Sequence, residues 1–302
     1  VARTEQTIAD AIPANTRRAY EGDLRTFAEW CNATGLVAMP AMPQTLALFM
    51  RARADEGRKY ATIVRAVAAI CTAHTRAGHP SPWAHPVVAD MRDALARELG
   101  TRPKRKRAAD DDVLRRLIAV IPKTSLLGKR DRALLLLAWC GALRRSEDVA
   151  IDVIDLVSAP KGRVLTIGKS KTDQHQHGED IPVFFSNDPE LCPVRALDEW
   201  LAASGITEGP IFRQLGRRQV LGERLGAASV RDRVQHWARV AGLAETEFAA
   251  HSLRRGFMTT AARRGKDLDA IMRTSRHRSV QVARAYIEVA TVHERGAGEG
   301  LL

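Results

Sequence analysis

Residues 251–286 read HSLRRGFMTTAARRGKDLDAIMRTSRHRSVQVARAY, and the rest of the chain is organised around them. The stretch holds His251, Arg254, His277 and Tyr286. These are the kinds of side chain that a metal-free attack on a phosphodiester uses: a phenol to attack and donors to hold charge. On a helix, His251 and Arg254 lie three apart and face the same side. His277 and Tyr286 are nine apart, so they share a face only if a helix begins after His277. Ser279 offers that start, as a cap before Val280, Val282, Ala283, Tyr286 and Ile287.

The chemistry suggested by this stretch suits the composition. The 302 residues carry 47 Lys plus Arg against 35 Asp plus Glu, a net charge of +12 spread through the chain rather than held in one tail. That excess points to a polyanion, and to nucleic acid over membrane, because no apolar run approaches the roughly 18 to 20 residues of a span. The longest candidate, Ala133 to Cys140, reads as a buried helix. No signal peptide opens the chain, and the absent initiator Met suggests a trimmed sequence. Cys31, Cys71, Cys140 and Cys192 are scattered without a CxxC pair, which predicts buried thiols in a reducing compartment rather than zinc or disulfides.

Upstream, the first hundred residues read as helix throughout. After a patternless start at 1–13, Tyr20, Leu24, Phe27 and Cys31 recur at helical spacing until Gly35. A second helix follows Pro43 with Leu46, Phe49 and Met50. Tyr60, Ile63, Val64, Val67, Ile70, Cys71 and His74 make the cleanest apolar stripe, ended by Gly78. A fourth helix, Pro86 to Leu99, is expected to bury Val87, Met91 and Leu95. Then comes TRPKRKR, 101–107, whose charge, proline and lack of apolar period mark a basic linker over 101–109. Its Lys104, Arg105, Lys106 and Arg107 either contact a phosphate backbone or form a solvated connector. Asp110 to Asp112 suit the start of the next helix.

Beyond Asp112 the pattern turns mixed. Val113–Val120, Arg132–Cys140, Pro193–Ala203 and Ser229–Ala241 read as helices, the last with Val230, Val234, Trp237 and Val240 facing in. Val164–Ile167 and Ile181–Phe185 read as strands joined by the polar hairpin Gly168 to Glu179.

Two further sites could bear chemistry. Arg144 lies in GALRRSED with Glu147 three residues on, and an arginine fork braced by a carboxylate can hold two phosphate oxygens. Lys171 lies in the hairpin GKSKTDQHQHGED. Taken singly, each feature has an ordinary explanation: a surface ion pair, a solvated lysine, a chance HxxR, a core tyrosine. His175 and His177 read as loop polarity rather than a metal site. The order of the set is what distinguishes it: Arg with Glu at plus three, a hairpin lysine, HxxR, then His and Tyr nine apart.

That constellation resembles the tyrosine recombinase (phage integrase) family, of the Cre-like or Xer-like kind, over most of the chain. The resemblance implies a mainly α, two-domain fold clamping DNA. Residues 1–100 would be a four-helix core-binding (SAM-like) domain, 101–109 a linker, and 110–302 a mostly helical catalytic domain with a small antiparallel β-sheet. It makes Arg144 and Arg254 phosphate clamps, Glu147 the support of the first, and Lys171 the hairpin lysine, with Lys169 competing. His251 takes the HxxR place, His277 the His-or-Trp place and Tyr286 the place of the nucleophile. Ser275 and Arg276 depart from the Leu-Gly of many relatives, and Arg145 and Arg255 double the two clamping arginines. CPVRALDEW, 192–200, is also family-like, with a packing role.

The implied activity is site-specific recombination of duplex DNA through a 3′-phosphotyrosine and a Holliday junction, by a homotetramer on paired sites, without ATP, metal or other cofactor. Its place would be a bacterial or phage-host cytoplasm, at the nucleoid. A type IB topoisomerase, disfavoured by His251, and a non-catalytic architectural DNA-binding protein are the alternatives. Candidate base or phosphate readers are Arg58, Lys59, Arg65 and Arg76 on the third helix and its approach, and Arg231 and Arg239 further on.

Overall fold

The computed structural model describes residues 14–102, 106–168, 178–277, 279–281 and 283–284. The chain divides into two compact units, Val1–Lys104 and Arg105–Leu302.

The described residues of the first unit form four α-helices: α1 (Ala14–Thr34), α2 (Pro43–Asp55), α3 (Tyr60–Arg76) and α4 (Pro86–Leu99). Pro43 and Pro86 open their helices where a missing N–H is harmless. Phe27 and Cys31 from α1, Leu46, Phe49 and Met50 from α2, and Ile63, Val67, Ile70 and Cys71 from α3 share one core. His74 completes the α3 stripe as a clamp: its Nε2 accepts from the Ala41 N–H at 2.8 Å, which leaves Nδ1 to donate to the Ile70 carbonyl at 2.8 Å. In α4 Leu95 and Met91 face the core as expected, but Val88 takes the inner place expected of Val87. Val88 and Leu95 are buried, Met91 is partly buried and Val87 is 38% exposed. One residue rotates a helix by about 100°, enough to exchange its inner and outer faces.

The second unit begins with α5 (Asp111–Ala119), whose cap Asp110 accepts from the Val113 N–H. Next come α6 (Leu126–Cys140) and the single turn α7 (Arg145–Asp148). Strands β1 (Leu156–Ala159), β2 (Gly162–Ile167) and β3 (Glu179–Phe184) form an antiparallel sheet in that order. Helix α8 (Pro193–Ser204) follows, then the strand pair β4 (Arg213–Leu215) and β5 (Leu221–Arg224). Then come α9 (Ala227–Val240), α10 (Ala250–Arg263) and α11 (Leu268–Ser275).

Helix α6 is the spine of this unit, with every side chain from Ala133 to Ala138 buried. It starts earlier than expected because Ser125 caps it through the Gly128 N–H and because Arg130, Asp131 and Arg132, which look like surface, are buried. Asp131 accepts from Arg130 and from the Trp237 indole, so the charges are paired inside. On α9, Val230, Val234 and Trp237 are buried, but Val240 is 49% exposed. The spacing that buries 230, 234 and 237 reaches the inner face next at Ala241, which packs there instead. All four cysteines are free thiols, Cys31, Cys71 and Cys192 buried and Cys140 partly so. No helix among the described residues is long and apolar enough to cross a membrane.

Candidate active site

The site grows from the C-terminal end of α6. Ala142 turns the chain there at φ 45, and the last turn leaves the carbonyls of Gly141 and Ala142 without helical donors. Two buried arginines supply them. Arg254 Nη1 donates to the Ala142 oxygen at 2.6 Å, while Arg276 donates to the oxygens of Gly141 at 3.1 Å and Ala142 at 3.3 Å. Cations at the negative end of a helix dipole are favourably placed.

Arg144 is the cap of α7, and Glu147 reaches back to it. The Arg144 N–H donates to Glu147 Oε2 at 2.8 Å and its Nη1 to Oε1 at 2.5 Å. Arg276 Nη2 donates to the same Oε2 at 2.6 Å. Burial pushes the Glu147 carboxyl up, but Arg276 and then the Arg144 backbone and guanidinium outweigh it and hold the acid below its usual range. The neighbouring Asp148 has neither oxygen hydrogen-bonded among the described residues, and burial followed by the Glu147 charge pushes it well above the usual carboxylate range.

Helix α10 brings the HxxR pair. His251 is exposed in its first turn and Arg254, one turn on, is 1% exposed. Arg254 Nη2 also donates to the Ser275 carbonyl and lies 3.4 Å from His277 Nδ1. Ser275 Oγ is 2.8 Å from the same Nδ1. With donors around Nδ1, the ring proton of neutral His277 belongs on Nε2, where it can be donated. Burial, then Arg254, Arg144, His251 and Arg276, bring His277 down to about 4, so it is neutral at physiological pH. It can donate a hydrogen bond to an anion without carrying charge.

The doubled arginines separate cleanly. Arg145 is exposed, whereas Arg144 engages Glu147. Arg255 points away from Arg254 and donates to the Lys106 carbonyl, holding a strap that runs along α10. The strap continues with the Arg107 N–H donating to the Glu247 oxygen, the Ala109 N–H to Ser252 and the Trp139 indole to the Ala109 oxygen. Asp110 and Asp111 then pair with Arg263 and Arg264. A Cβ on Gly256 would stand 1.6 Å from the Ala109 oxygen, so the strap needs that glycine. The last residues of the expected linker, Lys106 to Ala109, are thus packed into the second unit.

The structure therefore gathers Arg144, Glu147, Arg254 and His277, with His251 close enough to depress His277. Lys171, its competitor Lys169, Tyr286, Lys104, Arg105, His175 and His177 lie outside the described residues. The approach to Tyr286 is partly described. Ala283 donates its N–H to the Ser279 carbonyl at 3.1 Å, the helical start expected there, and its side chain is buried against Met258, Ala262 and Ile271.

Of the charged readers, Arg58, Lys59 and Arg76 are exposed, with Arg58 3.8 Å from Glu56. Arg65 grips Asp23 through two bonds, and Arg231 and Arg239 are exposed beside Asp232 and Glu245. Lys106 donates to the Thr246 carbonyl and Arg107 to Glu247. Sequence reasoning noted Arg276 only as a departure; a basic residue at a turn carries no signal of burial.

A family model described as the phage integrase family matches residues 107–293. An integrase/recombinase xerD homolog of Selenomonas ruminantium is 38% identical over 98% of this chain and 86% of its own length. A tyrosine recombinase XerC of Rhodospirillum centenum is 28% identical over 92% of this chain and 79% of its own. Among solved structures, a lambda integrase dimer bound to a core site superposes with a TM-score of 0.65, at 18% identity over 98% of this chain and 95% of that one. XerH bound to palindromic difH superposes with a TM-score of 0.67, at 15% identity over 92% and 77%. At those identities the superpositions establish the fold.

Proposed function

The chain belongs to the phage integrase family of tyrosine site-specific recombinases, and from that premise we propose that it cuts and rejoins duplex DNA through a 3′-phosphotyrosine on Tyr286. The observation that carries the reading is the convergence of Arg144, Arg254 and a neutral His277 beside one another. Such fixed donors can meet the nonbridging oxygens of one phosphate as negative charge builds on them.

In this reading the Tyr286 oxygen attacks phosphorus in line and the bond to the 5′ oxygen breaks. Lys171 gives the departing oxygen its proton, and His251, exposed at the start of α10, takes the phenol proton or positions the phosphate. A 5′ hydroxyl from another strand reverses the step, so the bond energy is conserved and no ATP is needed. Guanidinium charge does the work that a divalent cation does in other phosphoryl transfers. Four protomers on paired sites would exchange strands through a Holliday junction. The exposed Arg58, Lys59 and Arg76 of the first unit, and Arg231 and Arg239 on α9, are the candidate DNA contacts. The relatives being bacterial recombinases, the bacterial cytoplasm is the proposed setting.

A nicked suicide duplex carrying the target site tests the reading. The expected result is a covalent protein–DNA adduct that disappears in Tyr286→Phe while DNA binding persists. Binding without any trapped adduct in the parent chain would reject it.

A further inference from the structure

Arg276 stands where a glycine would be at ease. It caps α11 at φ 54 and ψ 44, a left-handed conformation that crowds any Cβ. Yet the residue is only 4% exposed and its side chain has four acceptors: the carbonyls of Gly141, Ala142 and Thr274, and Glu147 Oε2 at 2.6 Å. A buried guanidinium in an unfavourable turn is held there by what it touches.

What it touches is the support of Arg144. The Glu147 side chain is fully buried and is shared by two arginines. The Arg276 side chain is 1% exposed and that of Arg144 is 20% exposed, so only Arg144 presents itself outward. If Arg144 alone faced Glu147, the pair would be neutral and an incoming phosphate would compete with the carboxylate for a single guanidinium. With Arg276 balancing the carboxylate from inside, the Arg144 charge remains available.

We propose that Arg276 is a positioning residue for DNA cleavage: it neutralises Glu147 and fixes the α6 end, so that the Arg144 fork is oriented and free to bind the scissile phosphate. The proposal rests on the phosphotyrosine reading above. It acts through Arg144 and touches no substrate itself. The same guanidinium ties the turn that delivers His277 to the α6 carbonyls that Arg254 also uses, so two of the three phosphate donors share one anchor.

The experiment is single-turnover adduct formation on the nicked suicide duplex at saturating protein, with DNA affinity and melting temperature measured alongside. Arg276→Gly, which suits the turn, should cleave about 100-fold more slowly while the DNA Kd moves less than about threefold. Arg276→Lys, which keeps the charge but not the planar fork, should cleave about 10-fold more slowly and guards against a glycine variant that fails to fold. The decisive comparison repeats Arg276→Gly in an Arg144→Lys background. A lysine there still has a charge to free but no fork to orient, so the loss should shrink to about 10-fold. Parental cleavage by either folded Arg276 variant, or an equal loss in both backgrounds, overturns the proposal. If the parent chain gives no Tyr286-dependent adduct, the functional reading falls and this proposal with it; a parental adduct with the wrong coupling rejects Arg276's role alone.

Discussion

Phe49 and Arg254 are both 1% exposed, yet their surroundings hold together by opposite means. Around Phe49 the first unit packs carbon on carbon, with Phe27 at 5.0 Å and Trp30 at 5.4 Å between ring centres. Around Arg254 the second unit buries cations and pairs them with backbone carbonyls and one shared carboxylate. Apolar packing tolerates substitutions that conserve volume, because its attraction has no direction. A buried charge network does not, since each lost partner leaves another group unpaired in a medium that cannot solvate it.

The sharpest break of this contrast is Arg254→Met, similar in length but without charge. It strips a donor from the Ala142 and Ser275 carbonyls, and about 3 kcal/mol of unfolding free energy should be lost in urea titrations. Cleavage of the suicide duplex should fall about 1,000-fold, because in the proposed mechanism the variant also lacks a donor to the phosphate.

A subtler probe is Asp148→Asn. The folded chain keeps a proton on Asp148 that the unfolded chain releases above the ordinary carboxylate range, so folding binds the extra proton there. That contribution to stability falls as pH rises past about 4, the ordinary pKa of an exposed aspartate. Asparagine removes the slope. Thermal melts across pH should show variant and parent alike near the acid end, with the variant gaining as pH rises to neutrality; a constant offset would place the cause elsewhere.

The smallest effect belongs to the apolar side. Met50→Leu, fully buried on α2, should shift stability by less than about 1.5 kcal/mol in the same titrations. A larger loss there would erase the distinction between the two regions.

The contrast also explains what could be read from the sequence. The stripe of Ile63, Val67, Ile70, Cys71 and His74 was legible because burial follows helical period, a local property. Arg144, Glu147, Arg254 and His277 were legible as a set through order and spacing, and the structure brings those four together. Arg276, the start of α6 and the strap were not. Their burial depends largely on partners remote in sequence: Glu147 lies 129 positions from Arg276, Ala142 lies 134, and Trp237 lies 106 from Asp131. Charged residues read locally look like solvated surface, and only the fold reveals which are paired inside. The phase errors at Val87 and Val240 have a different source: near a helix end, one residue decides the face and the neighbouring apolar residues do not discriminate.

The strap over α10 has a consequence for where this chain can be cut. Composition alone invites a boundary at Asp110, after the basic run. A fragment beginning there would lack the Ala109 oxygen that receives the Trp139 indole and the Lys106 oxygen that receives Arg255. It would expose a cleft along Gly256, on the helix that carries Arg254. The second unit as a separable piece therefore begins no later than Lys106, and Lys106 and Arg107, which resemble a spacer, are structural residues of that unit.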